Sequence, residues 1–174
     1  MGAGDFELTM DELRAVVQFA ADCAQELLLD FEAAAPDDSR PRDALDAARL
    51  FVDGDTRSNL QRAAAFAAHR AAKGVSGEPA QLAALACGDA AAAAYLHPIA
   101  RATQLGHILR PAACAARVAE LKTGSAGSDE VRRLADRATS PLPEILRRYP
   151  SAPSGSSRVA QLMRELDSAI RLRT

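Results

Sequence analysis

The sequence predicts an all-α protein: an alanine-rich helical bundle of about five core helices with a C-terminal helical extension. Three observations carry this reading. Apolar residues recur at i, i+3, i+4 and i+7 along most of the chain, the period of a half-buried helix. Proline, glycine, hydroxyl and acidic residues fall where such helices would start and stop. Of the 174 residues 48% are hydrophobic, alanine commonest among them, with five Phe, two Tyr and no Trp. Helices that meet through side chains this small can approach closely.

The length suits one domain with a real core. We read residues 1–122 as the core bundle and 123–174 as an extension packed on that core or on a second subunit, so a homo-oligomer is one expectation. With 21 basic and 23 acidic residues the formal net charge is −2, without the basic excess that nucleic-acid binding leaves, and no nucleic-acid partner is expected. Cys23, Cys87 and Cys114 are odd in number, far apart and set in alanine-rich helical runs. They read as buried thiols of a cytoplasmic protein. Asp5 and Glu7 near the start argue against a secretion signal. The longest apolar stretch, Ala80 to Leu96, is interrupted by Gly88 and Asp89 and is too broken to span a membrane.

The elements follow in order. Thr9 with Glu12 three residues on is a capping box. Leu13, Val16, Val17, Ala20, Cys23, Ala24, Leu27, Leu28 and Phe31 then keep helical spacing up to the break at Pro36. The charged turn Asp37 to Arg42 leads into a second helix, with Pro41 in its first turn, that runs to Gly54. Its apolar side is Ala44, Leu45, Ala48, Phe51 and Val52, and its acidic and basic residues are spaced to pair along a solvated face. A third helix is expected from Thr56 to Lys73, and Gly74 to Gly77 ends it. Glu78-Pro79 opens a fourth that is apolar all round, and hence central in the bundle. A fifth is expected from His97 to Leu121, with Pro98 in its first turn and a bend at Pro111. Thr123 to Ser128 reads as a flexible connection. Asp129 to Ala138 and Leu142 to Arg148 read as short helices, and a last helix to Leu172 places Val159, Leu162, Met163, Leu166 and Ile170 on one side.

The fifth helix raises the question of function. If it starts at His97, then His97, Arg101, Gln104 and His107 fall within an arc of roughly 120° that borders the apolar face. A structural reading has His97 cap the helix while Arg101 and Gln104 satisfy loop carbonyls or acids. A functional reading has Arg101 bind an anionic group, Gln104 fix its orientation and His97 or His107 handle a proton. A buried arginine needs a partner. The candidates are Glu32, Asp37, Asp38, Asp43 and Asp46, so the sequence couples the stripe to the segment that holds Glu32, Asp38, Arg40 and Arg42.

Several chemistries find no footing. There is no phosphate-binding Gly-x-x-x-x-Gly-Lys-Ser/Thr run, no His-Glu-x-x-His pair, no cysteine knuckle and no Gly-x-Ser-x-Gly elbow. Ten residues of straight helix would hold His97 and His107 about 15 Å apart, so no metal is expected between them. No cofactor is expected either.

Phe31-Glu32, Pro36 to Arg42, Ala47-Ala48-Arg49 and Gly54, taken with Tyr95-Leu96-His97-Pro98, Thr103-Gln104 and His107-Ile108-Leu109, resemble an alanine-rich, all-helical bacterial family described as putative immunity proteins. The resemblance spans about Leu8 to Leu121. Many relatives have a His or Ala-His pair in the third helix, where this chain has His69 alone. The resemblance implies a non-enzymatic partner that neutralises a cognate toxin by binding it, and it carries no catalytic residues. Some members are named as an exonuclease subunit, a role that the missing nucleotide-binding motif excludes here for an ATP-driven enzyme. The alternative is a small enzyme or ligand-binding protein of specialised metabolism, with a pocket lined by His97, Arg101, Gln104 and His107. A pocket that touches the stripe and opens to solvent would favour that alternative.

Overall fold

The computed structural model describes residues 6–124 and 127–173, and all helices among them are α or short 3-10 turns. The helices are α1 (Met10–Gln25), α2 (Leu28–Ala34), α3 (Arg40–Val52), α4 (Asn59–Gly74), α5 (Glu78–Ala92), α6 (Leu105–Thr123), α7 (Gly127–Asp136), α8 (Leu142–Arg148) and α9 (Arg158–Arg171). The bundle is all-α, as the apolar periodicity requires. Asp5 and the middle of the Thr123–Ser128 connection, residues 125 and 126, lie outside the described residues.

Local signals set most boundaries. Thr9 and Glu12 form the expected capping box, with Glu12 N–H donating to Thr9 Oγ1 and Thr9 N–H to Glu12 Oε2. A second box caps α4, where Ser58 and Gln61 exchange the same pair of bonds. This starts α4 three residues later than the expected Thr56. Gly124 closes α6 in the left-handed region, φ 66°, its N–H donating to the Glu120 carbonyl. The first helix is not continuous to Pro36. Bonds from Leu27 N–H to Ala24 and from Asp30 N–H to Leu27 tighten the chain after Gln25, and α2 packs on α5.

α5 is the axis of the bundle. Ala80, Ala83, Ala84, Ala86, Cys87, Ala90 and Ala91 are buried, and α1, α2, α3, α4 and α6 all pack on it. Side chains of one carbon let five neighbours approach one helix. After Ala92 the chain makes a 3-10 turn through Tyr95, runs extended, makes a second turn at Ala102–Gln104, and only then enters α6. This corrects the expected helix start at His97. A residue before proline is driven out of the α region by the pyrrolidine ring, so His97-Pro98 favours extended chain as readily as a first turn. The Pro98 carbonyl is then free to accept from Phe6 N–H. α6 runs through Pro111 to Thr123.

The C-terminal helices lie on the same body. α9 packs on α6 and α7, and its Leu162, Leu166 and Ile170 are fully buried there. Glu120 of α6 joins the three helices, accepting from Arg158 Nη2 at 2.6 Å, Arg117 Nη1 at 3.3 Å and the Gly127 N–H at 3.1 Å. The three thiols are free and buried. Burial pushes those of Cys23 and Cys87 up to about 12 and raises that of Cys114 as well.

Candidate functional site

The one carboxylate inside the alanine-rich axis organises the polar chemistry. Asp89 of α5 is completely buried, and a lone ionised carboxylate in such a place would be costly. Arg110 of α6 meets it with two parallel bonds, Nε to Oδ2 at 2.5 Å and Nη2 to Oδ1 at 2.7 Å. His107, one helical turn before Arg110, brings Nδ1 to 3.1 Å from Oδ1. His69 of α4 approaches the same oxygen from the other side, with Nε2 at 3.4 Å. That last contact is an ion-pair distance without hydrogen-bond alignment, since buried His69 Nε2 has no hydrogen-bond partner. Burial alone would raise the Asp89 pKa, but His107, His69 and Arg110 overcome it and hold the carboxyl far below its ordinary range. The Arg110 guanidinium is in turn raised by its bonds to Asp89.

The geometry assigns tautomers. Asp89 is ionised, so His107 donates to it through Nδ1–H. Beside the two imidazoles a cleft of about 320 Å³ opens to solvent, lined by Arg62, Phe66, His69, Tyr95, His97, Gln104 and His107 with Ala65 and Ala92. All three histidines of the chain therefore border one cleft. Its rim is fixed by further bonds. Tyr95 Oη donates to the Ser58 carbonyl at 2.6 Å, while the Arg57 and Arg62 guanidinium carbons lie 5.1 and 4.5 Å from the Tyr95 ring centre. Gln104 Oε1 accepts from the His97 N–H at 3.0 Å, and the His97 carbonyl accepts from Tyr149 Oη at 2.9 Å. Gln104 thus ties its side-chain oxygen to the extended segment that carries His97.

Of the residues that the sequence marks as a stripe, the structure gathers His97, Gln104 and His107 at this cleft, but not on one helical face. Arg101 is exposed and outside the lining. Because no straight helix joins His97 and His107, the 15 Å argument has no geometric basis here. Among the described residues no three His, Cys, Asp or Glu side chains converge as a metal site.

The expected coupling to the charged turn is absent. Arg40 closes on Asp38 two residues away, Nη2 to Oδ2 at 2.6 Å, and Arg42 reaches Glu32 at 2.6 Å. Asp38 is lowered by Arg40 accordingly. Short local geometry wins because these side chains can pair without crossing the bundle, whereas the arginine that serves the buried carboxylate Asp89 is the part-buried Arg110. The residues missed by the sequence reading are Asp89, Arg110 and His69. A lone acid in an otherwise apolar helix was the available signal, since such an acid must find a cation.

Comparison with known proteins gives one positive result. Neither the curated proteins nor the solved structures include a match to this chain. Residues 7–138, which hold Asp89, Arg110 and every residue lining the cleft, match the family model described as Imm-5 like putative immunity protein, and the chain belongs to that family.

Proposed function

We propose that this protein is a non-enzymatic immunity protein that binds a cognate toxin and occludes it. Membership of the immunity family is the observation that carries the reading. A close-packed body with a preformed polar cleft suits it, because occlusion needs a preformed surface rather than chemistry. Among the described residues no helix is long and apolar enough to cross a membrane. The buried free thiols fit action in the reducing cytoplasm. Self-association through the last helix has less to recommend it, since the apolar side of α9 is spent within its own chain.

The test is co-expression. A toxin domain encoded beside this protein should arrest growth alone and lose that effect when the protein is supplied, and the two should co-purify. Persistent arrest with the protein abundant and folded would overturn the reading.

A second reading is the ligand-binding protein or enzyme that an open pocket at the stripe was expected to favour; such a pocket is present, and there His107 pairs with Asp89. A carboxylate that fixes the tautomer of an imidazole is also the arrangement of a general base, so a small ligand-binding protein or enzyme would use His107 as its proton acceptor. His107→Gln separates the two. It would abolish turnover in an enzyme and leave toxin protection in place if the imidazole has no chemical task.

A further inference from the structure

The two segments that build the cleft share a charge pattern that the whole-chain sum conceals. α4 carries Arg62, His69, Arg70 and Lys73 and no carboxylate, and from Ala90 to Ala119 the charged residues are Arg101, Arg110 and Arg117, again without Asp or Glu. Arg110 is neutralised by Asp89, and Arg117 by Glu78 and Glu120. Arg62, Arg70 and Lys73 are exposed, and no ion pair joins them to a carboxylate among the described residues. A face of one sign on a chain of net charge −2 attracts the opposite sign.

Its apolar content points to a protein. Phe66 borders the cleft at 59% exposure, with the Tyr95 ring in the same lining. Arginine, tyrosine and phenylalanine together are the residues that anchor protein interfaces. Arg62 is held over the Tyr95 ring, so its guanidinium is already ordered at the rim and loses little freedom on pairing. A nucleic acid would ask for a track of several phosphate contacts. In the lining itself Arg62 is the guanidinium, Arg57 being turned to the Ala94 carbonyl, and one such cation beside an exposed Phe is the pattern for a single carboxylate. At about 320 Å³ and open, the cleft is at the small end of ligand-sized pockets and has room for one or two side chains.

From these observations we infer that the cleft receives an Asp or Glu side chain of the partner toxin, next to an apolar residue, and that Arg62 meets its carboxylate. Phe66 with Tyr95 covers the apolar neighbour. The inference rests on the toxin-binding reading and specifies the chemistry of the surface bound.

The experiment uses the full chain and two capped dipeptides as probes, acetyl-Glu-Phe-amide and acetyl-Gln-Phe-amide, followed through the imidazole resonances of His69, His97 and His107. The Glu peptide should shift these resonances with a millimolar Kd at least fivefold tighter than that of the Gln peptide. Arg62→Gln should remove that preference, while Arg164→Gln, on α9, should keep it. Equal binding of both peptides, no binding, or displacement of the Glu peptide by a short single-stranded oligonucleotide at lower concentration would overturn the inference. A small aromatic acid, phenylacetate, that outcompetes the Glu peptide by more than tenfold would also overturn it, by giving the cleft to a free ligand. These outcomes are independent of the co-expression test. Wild-type protection together with full protection by Arg62→Glu would remove the inference and leave the immunity reading standing.

Discussion

Gly88 and His69 are in direct opposition across the α4–α5 contact: a Cβ built on Gly88 would stand 2.4 Å from His69 Cδ2 and 2.6 Å from Nε2. The imidazole reaches Asp89 because its neighbour on α5 has no side chain. Gly88→Ala should therefore displace the His69 ring or force the two helices apart. Overpacking of this kind costs roughly 1–3 kcal/mol. A urea titration should show the loss, and the His69 ring resonances should move more than those of His97. Unchanged stability with unchanged ring signals would show that the α4–α5 contact has room for a methyl group.

Asp89 should be the most sensitive polar position in the core. Replacing it by Ala removes the buried partner of Arg110, and because that guanidinium is 37% exposed and can be rehydrated the loss should stay below the roughly 3–5 kcal/mol of a fully buried pair. Asp89→Asn retains the shape and some hydrogen bonding, so it should lose less. Equilibrium unfolding of the two variants ranks them, and equal losses would show that charge is irrelevant at this position.

The same carboxylate predicts an acid limb. Its folded pKa is depressed below the 3.8 of a free aspartate side chain, so its contribution is complete above that value and is lost as pH falls through the lower folded one. Stability measured between pH 6 and pH 2 should fall more steeply in the wild type than in Asp89→Asn. Parallel curves would assign the acid sensitivity to other groups.

The thiols should be silent in the native state. With Cys23 and Cys87 raised to about 12, and Cys114 also raised, almost no thiolate exists near neutral pH and none is reachable. Reaction with a disulfide reagent should wait for unfolding, all three reporting together as urea passes the transition. Rapid labelling of one cysteine in native buffer would contradict this.

Thr9 gives a local test of helix capping. Glu12 completes the capping box and also accepts from Arg148 Nη2 at 2.5 Å, so the start of α1 is tied to α8. Arg148 lowers the Glu12 pKa, which keeps the carboxylate charged for both tasks. Thr9→Ala should cost about 1 kcal/mol. A calorimetric melting point that does not fall would leave the box without energetic weight.

The helical class was legible from residue order because its causes are local: apolar spacing, Thr9 before α1, Pro41 in the first turn of α3 and Ser157 before α9. The alanine content of α5 likewise announced a central helix. The candidate site was only half legible. His97, Gln104 and His107 were marked for attention, but through a helix that does not exist at His97, because Pro98 is compatible with two backbones and tertiary contacts choose between them.

By itself, then, the sequence determined which segments coil, which faces turn inward, and the family signature between Leu8 and Leu121. Pairing was left to the folded chain. Asp89 lies 18 residues from His107 and 21 from Arg110 along the sequence, and nothing local distinguishes Arg110 from Arg101 as the cation it needs. Only the packing of α4 and α6 against one alanine-lined helix makes that choice, because a buried charge is stabilised by whichever partner the backbone delivers within about 3 Å and by no other.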